Sequence, residues 1–435
     1  MNLIKKWQNR QRGSLIENTV MLYILQFSNM FLGLVTVPYQ TRILGRELFG
    51  QLGIAQSVMM YFQLLMDFGF ILSATAKISR HRDDPQYLSR VLTCVTWAKL
   101  LFFTISAVVV ELFISPGLED NTMRLMYLFF LIATALNSFL PDYMYRGLER
   151  MSIITVRAVM IKLFFTVMIF LFLKTKEQYY MVPLFTAIGN LGAIVAVYWH
   201  LIRKMHIRFC RVGFREIFTE IRQSFGFFIS RIASTVYSST NTIILGYLDP
   251  SGATAGVYSA AADKIINPAK NVISPISDSL YPHMMKNRNF KLIKKTLLIF
   301  MPIITLGCAV VFVFAEPICT AFFGPDFAQS VTPLRALLPV VVFTLPNYIL
   351  GFPTLGAMGL AKYANISTVF CTVIHLINLA IAFATGHLDI LTLCILTSFT
   401  EFLVLMFRVV VIFINRKKLR PEENEQVEER ILDET

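Results

Sequence analysis

Apolar residues in this chain gather in runs of about twenty, separated by short polar intervals, instead of alternating singly with polar ones. A run of that length crosses a hydrocarbon layer of roughly 30 Å as a single helix. Twelve membrane-spanning helices are predicted, at about 17–40, 50–76, 88–113, 124–145, 153–173, 179–201, 224–247, 256–283, 296–320, 334–358, 364–386 and 390–415. Connections between runs are short, on the order of fifteen residues or fewer on one side and little more on the other, which leaves no room for a soluble catalytic domain. The longest, about 202–223, divides the runs into two sets of six. Within it Phe214, Ile217, Phe218 and Ile221 share one helical face while Arg215, Glu216, Glu220 and Arg222 lie elsewhere, the pattern of a helix lying at the membrane surface. The predicted fold is therefore an all-α membrane protein, with a six-helix bundle over 1–205, an interfacial linker helix over 206–223, a second six-helix bundle over 224–415 and an acidic tail over 416–435.

Composition changes this picture only by confirming the solvent. Of 435 residues, 55% are hydrophobic and 15% charged, too little charge to dress a water-exposed surface. The net charge of +13 would suit a nucleic-acid partner, but its placement excludes that reading. With the N-terminus inside, 28 of the 40 Lys and Arg fall in inner connections or termini, whereas the outer side holds six: Arg42, Arg46, Arg124, Lys174, Lys176 and Arg335. That asymmetry predicts both termini in the cytoplasm. Lys5, Lys6, Arg10 and Arg12 precede the first run, which is too long for a cleaved signal and is expected to stay as an anchor. The six cysteines lack any C-x-x-C spacing and the six histidines lack any metal-ligand spacing, so free thiols, no metal and no cofactor are expected.

Charge inside the runs is costly and marks function by default. The eighth run carries Lys264, Asn267, Asn271, Ser274 and Asp278 at helical steps on one face, with Pro268, Pro275 and Pro282 on an adjoining face where each can bend the helix. The seventh carries Arg231, Ser234, Ser238 and Asn241; the first Gln26, Asn29, Gly33, Thr36 and Gln40; the second Gln56, Gln63 and Asp67. Helix-to-helix hydrogen bonding would account for many of the small polar residues. The cations Arg231, Lys264 and Lys270 point instead to a wet, basic cavity that attracts a phosphate-bearing substrate, and Asp67, Asp278 and Glu401 to charge pairing or ion coupling.

A faint repeat links the halves: Ile43-Leu44-Gly45 then Phe49-Gly50-Gln51-Leu52-Gly53-Ile54-Ala55, and Ile244-Leu245-Gly246 then Ala255-Gly256-Val257-Tyr258-Ser259-Ala260-Ala261. Its equivalent placement predicts parallel repeats around a central site. The stretch Val37-Pro38-Tyr39-Gln40-Thr41-Arg42, with Asp67-Phe68-Gly69-Phe70, Ile78-Ser79-Arg80-His81-Arg82, Pro141-Asp142-Tyr143, Arg146-Gly147-Leu148-Glu149, Tyr281-Pro282 and Phe323-Gly324-Pro325-Asp326-Phe327, resembles the Wzx-type flippases of O-antigen and exopolysaccharide repeat units nearly end to end. Tyr143 departs from the Trp that relatives often show. The resemblance implies a V of two six-helix bundles in the bacterial inner membrane, working by alternating access. The implied substrate is an undecaprenyl-diphosphate-linked oligosaccharide, with a proton or sodium ion as the coupling species and a polysaccharide polymerase and chain-length regulator as neighbours. It also implies that Lys99, Lys162, Arg231, Lys264 and Lys270 contact the diphosphate or sugar, within a polar lining that includes Gln26, Asn29, Gln63, Asn241, Asn267 and Asn271.

Other classes fit less well. A multidrug antiporter of the same fold needs a cavity for organic cations, against which the intramembrane basic residues argue. A lipid II flippase would more often carry fourteen spans, and a membrane-embedded polymerase, an enzyme, would carry a large loop or domain that is missing here.

Overall fold

The computed structural model describes residues 2–118 and 120–416, giving the backbone alone at 2–20, 22, 29, 230, 233–238, 282, 286 and 287. The expected acidic tail beyond 416 and the side chains of Asn29, Ser234, Ser238 and Pro282 lie outside the described residues. Every regular element among those described is helical: α1 (Asn2–Asp67), α2 (Phe70–Arg80), α3 (Pro85–Val109), α4 (Asn121–Phe139), α5 (Asp142–Gly147), α6 (Met151–Phe172), α7 (Met181–Lys204), α8 (Phe214–Leu248), α9 (Ala253–Ala261), α10 (Asn267–Asn287), α11 (Phe290–Val313), α12 (Ala315–Phe323), α13 (Val331–Ile349), α14 (Ala361–Ala384) and α15 (Ile390–Ile414). π-Helical turns at Val110–Ile114, Ala262–Ile266 and Leu350–Gly356 interrupt or join them.

All twelve apolar runs fall on helix. Nine helical segments among the described residues are long and apolar enough to cross a membrane, and the first, Tyr23–Arg80, spans 58 residues and holds two runs on either side of a kink at Gly45 (φ 68°). The seventh and eighth runs, in α8 and in α9–α10, are helical but more polar, as their stripes require. Apolarity here does not mean burial. In α11 Leu298 is 65% and Leu306 67% exposed, which is tolerable only where lipid replaces water.

The chain forms two compact units: 1–235 with 242–256, and 236–241 with 257–435. In the first, the core centres on Met66, Phe70, Leu92, Met144, Tyr145 and Leu201 from α1 to α7. α1 ends at a sharp break, Phe68 (φ 38°) and Gly69 (φ 76°), where a Cβ on Gly69 would strike Phe227 and the backbone of Phe228. Phe68 stacks between Phe102 and Phe228 at 4.6 and 4.3 Å.

The linker helix is not separate. Residues 206–213 are non-helical, and 214–223 are the first turns of α8, continuous with the seventh run because nothing in Phe214–Leu248 breaks a helix. Its apolar face is also divided. Ile217 and Ile221 pack on the core of the first unit, while Phe214 stays 92% and Phe218 67% exposed. Lys77 of α2 donates to Glu220 at 2.6 Å, and the hydroxyls of Ser73 and Ser224 lie 2.6 Å apart, tying the helix down.

Also within this unit, the two copies of the faint repeat meet. A Cβ on Gly50 would collide with the Gly252 carbonyl and the Gly256 amide, and one on Gly256 with the Arg46 carbonyl. Gln51 Nε2 donates to Pro250 O at 2.6 Å. Gly50 and Gly256 are the equivalent residues of the two copies, so the repeat marks a place of mutual backbone contact.

In the second unit α10, α11 and α15 surround α13, whose end unwinds through Leu350–Gly356, and α14 packs on α15 and on that unwound segment; Gly351 has ψ −119°, outside any helix. Ahead of the stripe the regular α-helix is interrupted by the π-helical turn Ala262–Ile266, which runs directly into α10, and Pro268 sits in the first turn of α10.

Candidate functional site

Each unit places buried charge beside a broken helix. In the first, Asp67 is the last residue of α1, where an acid opposes the helix dipole, and its carboxylate takes a hydrogen bond from Ser138 Oγ at 2.7 Å. Lys99 of α3, 5% exposed, comes to 3.5 Å of the same oxygen, donates to the Ser138 carbonyl and sits 5.6 Å from the Tyr143 ring centre. Nearby, Arg157 of α6 makes a two-pronged contact with Asp142, whose second bond is 3.0 Å.

In the second unit, Lys270 of α10 donates to Glu401 of α15 at 2.9 Å, and Asn347 of α13 donates to the other carboxylate oxygen at 2.8 Å and to the Glu401 carbonyl at 3.0 Å. Arg408, about two turns further along the same face of α15, donates to the carbonyls of Asn347 and Ala364 and to the hydroxyls of Ser367 and Thr368. The guanidinium thus ties the last turn of α13, through the Asn347 carbonyl, to the first turns of α14 beside the break at Gly351, where even a Cβ would press to 3.0 Å of its nitrogen. In this polar network the amide of Asn347 and the guanidinium of Arg408 are engaged while Asn347 Oδ1 stays buried without a hydrogen-bond partner among the described residues, and removal of one member leaves others stranded.

The remaining expected residues are spread over several helices. Lys162 in α6, Arg231 in α8 and Lys264 in the π-helical turn are half-buried, as are Gln26 and Gln63. Asn241 is buried and donates to Tyr258 Oη at 3.0 Å and Thr397 Oγ1 at 2.8 Å, a structural link. Asn267, Asn271 and Asp278 are exposed along α10, while Ile266, Ile273, Leu280 and Met284 bury its other face. Asn267 donates to Asp263 at 3.1 Å, and Asp263 also accepts from Ser259 at 2.6 Å. Of the three acids, Asp67 and Glu401 are paired with Lys99 and Lys270, both expected as substrate contacts. Asn347, Ser138 and the role of Arg408 were not legible: each acts through side-chain bonds to partners 40 to 71 positions away, such as Ser138 with Asp67.

Among groups outside the spans, Asp249, in the turn before α9, accepts from the amides and hydroxyls of both Ser251 and Thr254. These hydroxyls, followed by the amides, hold its carboxyl down to about 2.

Residues 15–288 match the model of a family described as polysaccharide biosynthesis protein. The chain belongs to that family. Two curated relatives are named putative O-antigen transporters: one from Escherichia coli (strain K12), 25% identical over 76% of this chain and 81% of its own length, and one from Shigella dysenteriae, 24% identical over 75% and 83%. The resemblance to Wzx-type flippases is thereby borne out. The polysaccharide-family chain shares its fold with an inward-facing multidrug resistance transporter of the MATE family (TM-score 0.66, 16% identity, 94% of this chain and 99% of that one). It also shares it with the lipid II flippase MurJ in an inward closed conformation (0.64, 13%, 91% and 87%). This family member is a multi-pass helical membrane protein.

Proposed function

We propose that this protein is a flippase that moves an undecaprenyl-diphosphate-linked oligosaccharide, an O-antigen or similar polysaccharide repeat unit, from the cytoplasmic to the outer leaflet of the bacterial inner membrane. In this reading twelve helices in two bundles work by alternating access, both termini are cytoplasmic, and no bond is made or broken. The observation that carries it is the match, over about three quarters of the chain, to two putative O-antigen transporters. The exposed polar stripe of α10 supports it, because Asn267, Asn271 and Asp278 on a helix of such a protein need water or a polar cargo beside them. Arg231, Lys264 and Lys162 are assigned to the diphosphate. Lys99 and Lys270, being ion-paired, are assigned to holding Asp67 and Glu401, whose protonation would loosen those pairs and couple an ion to the change of state. Asp278 is assigned to the same coupling.

Deletion of the gene tests the step. The deletion strain should accumulate complete lipid-linked repeat units in the inner leaflet and lose surface polymer. Wild type should restore export, and Arg231→Ala or Lys264→Ala should insert normally yet export roughly tenfold less, the loss of one charge-assisted contact. Single unpolymerised units at the surface of the deletion strain would place the protein after translocation and refute the reading. Wild-type export by both variants would remove the two cations from the substrate path.

A further inference from the structure

At the start of α3 the chain builds a second polar pocket, wholly within the first unit and apart from the networks above. α7 ends in a turn that leaves His206 in the left-handed region (φ 56°), with Ile207 N–H donating back to the Leu201 carbonyl at 3.0 Å. Ile207, 1% exposed, then anchors the chain in the core. From there the extended segment runs along α3: the Arg208 amide donates to Ser89 Oγ and the Cys210 amide to Thr93 Oγ1, each at 3.1 Å. Phe209 stacks on Tyr198, centres 5.7 Å apart. The result is a pocket of about 330 Å³ lined by Arg90 of α3, by Arg208 and Arg211 of the segment, and by His206.

The charge of this pocket is unbalanced. Elsewhere in the unit Lys77 is matched with Glu220, Arg82 with Glu149 and Arg157 with Asp142. The side chains of Arg90, Arg208 and Arg211 enter no ion pair or hydrogen bond among the described residues. Two acids close by in sequence accept hydrogen bonds elsewhere, Asp84 from the amides of Gln86 and Tyr87 and Glu216 from the amide of Gly213. Three guanidinium groups around one concavity repel one another, and their planar donors fit phosphate oxygens two at a time.

We propose that Arg90, Arg208 and Arg211, with His206, form a binding site for a phosphate-bearing anion at the membrane surface where α3 begins. The anion is the phosphodiester of an anionic lipid headgroup or a free phosphate compound. The site lies on residues other than those assigned to transport, and it does not depend on that assignment.

The test uses the full chain in phosphatidylcholine nanodiscs. Affinity is measured in one arm for inorganic pyrophosphate in solution and in the other for phosphatidylglycerol mixed into the bilayer. An Arg90→Gln/Arg208→Gln/Arg211→Gln variant is compared with a Lys291→Gln/Lys295→Gln control that removes two exposed cations elsewhere. The triple variant should bind at least roughly tenfold more weakly in one arm or both, and the control should stay within about twofold of wild type. Loss confined to phosphatidylglycerol identifies a headgroup site, and loss confined to pyrophosphate a soluble ligand. Equal weakening in triple variant and control, or no binding by wild type in either arm, overturns the proposal. Single Arg208→Gln and Arg211→Gln variants, each expected to weaken binding several-fold, carry the test if the triple variant fails to fold.

Discussion

Asp67 and Lys99 stand 32 positions apart, and each would be a liability alone: an acid at a helix C-terminus and a 5% exposed cation. Together, with Ser138, they satisfy one another. Lys99→Met should therefore cost about 3 kcal/mol or more by leaving the carboxylate unmatched, whereas Asp67→Asn/Lys99→Met should recover most of that loss. Thermal unfolding of the purified single and double variants measures both. A double variant no more stable than Lys99→Met would show that the lysine acts through packing, not charge. The same logic holds around Arg408, whose four partners come from α13 and α14 and whose importance no local sequence pattern marks.

At the scale of elements, the faint repeat acquires a physical meaning. A side chain at Gly50 would take the place of the Gly252 carbonyl, and one at Gly256 the place of the Arg46 carbonyl. Gly50→Ala and Gly256→Ala should each destabilise the protein by about 1–3 kcal/mol, since a backbone carbonyl cannot rotate away as a side chain can. Gly33→Ala, in open space on the same long helix, should be neutral or slightly stabilising. Melting temperatures of the three variants decide between close approach and mere helix propensity. The neighbouring turn adds a pH signature. The Asp249 carboxyl is depressed to about 2 against an ordinary value near 4, so its contribution is full above about pH 4 and fades as pH falls from there towards 2. Unfolding curves of wild type and Asp249→Ala should differ above pH 4 and converge below it. A difference unchanged down to pH 2.5 would place the effect in packing.

For the whole molecule, the asymmetry of 28 inner against six outer cations predicts the sidedness of every connection. Alkaline phosphatase fused after Gly117 or Gly386 should be active outside the cell membrane, and green fluorescent protein fused after Gly213 or Arg288 should fluoresce inside. The reverse pattern would overturn the assignment of both termini to the cytoplasm, and with it the direction proposed for transport.

Periodicity and composition determined the membrane-helical class, the position of all twelve apolar runs and the polar stripe of α10, because these depend on how neighbours along one helix share a face. The resemblance to repeat-unit flippases was likewise carried by short ordered motifs. Only the tertiary structure decided that Lys99 and Lys270 are paired, that α8 absorbs the expected linker, and that three arginines from α3 and a distant strand of chain line one pocket. Pairing and pockets join residues far apart in sequence, and the break at Gly351 lies beside a guanidinium that arrives from another helix.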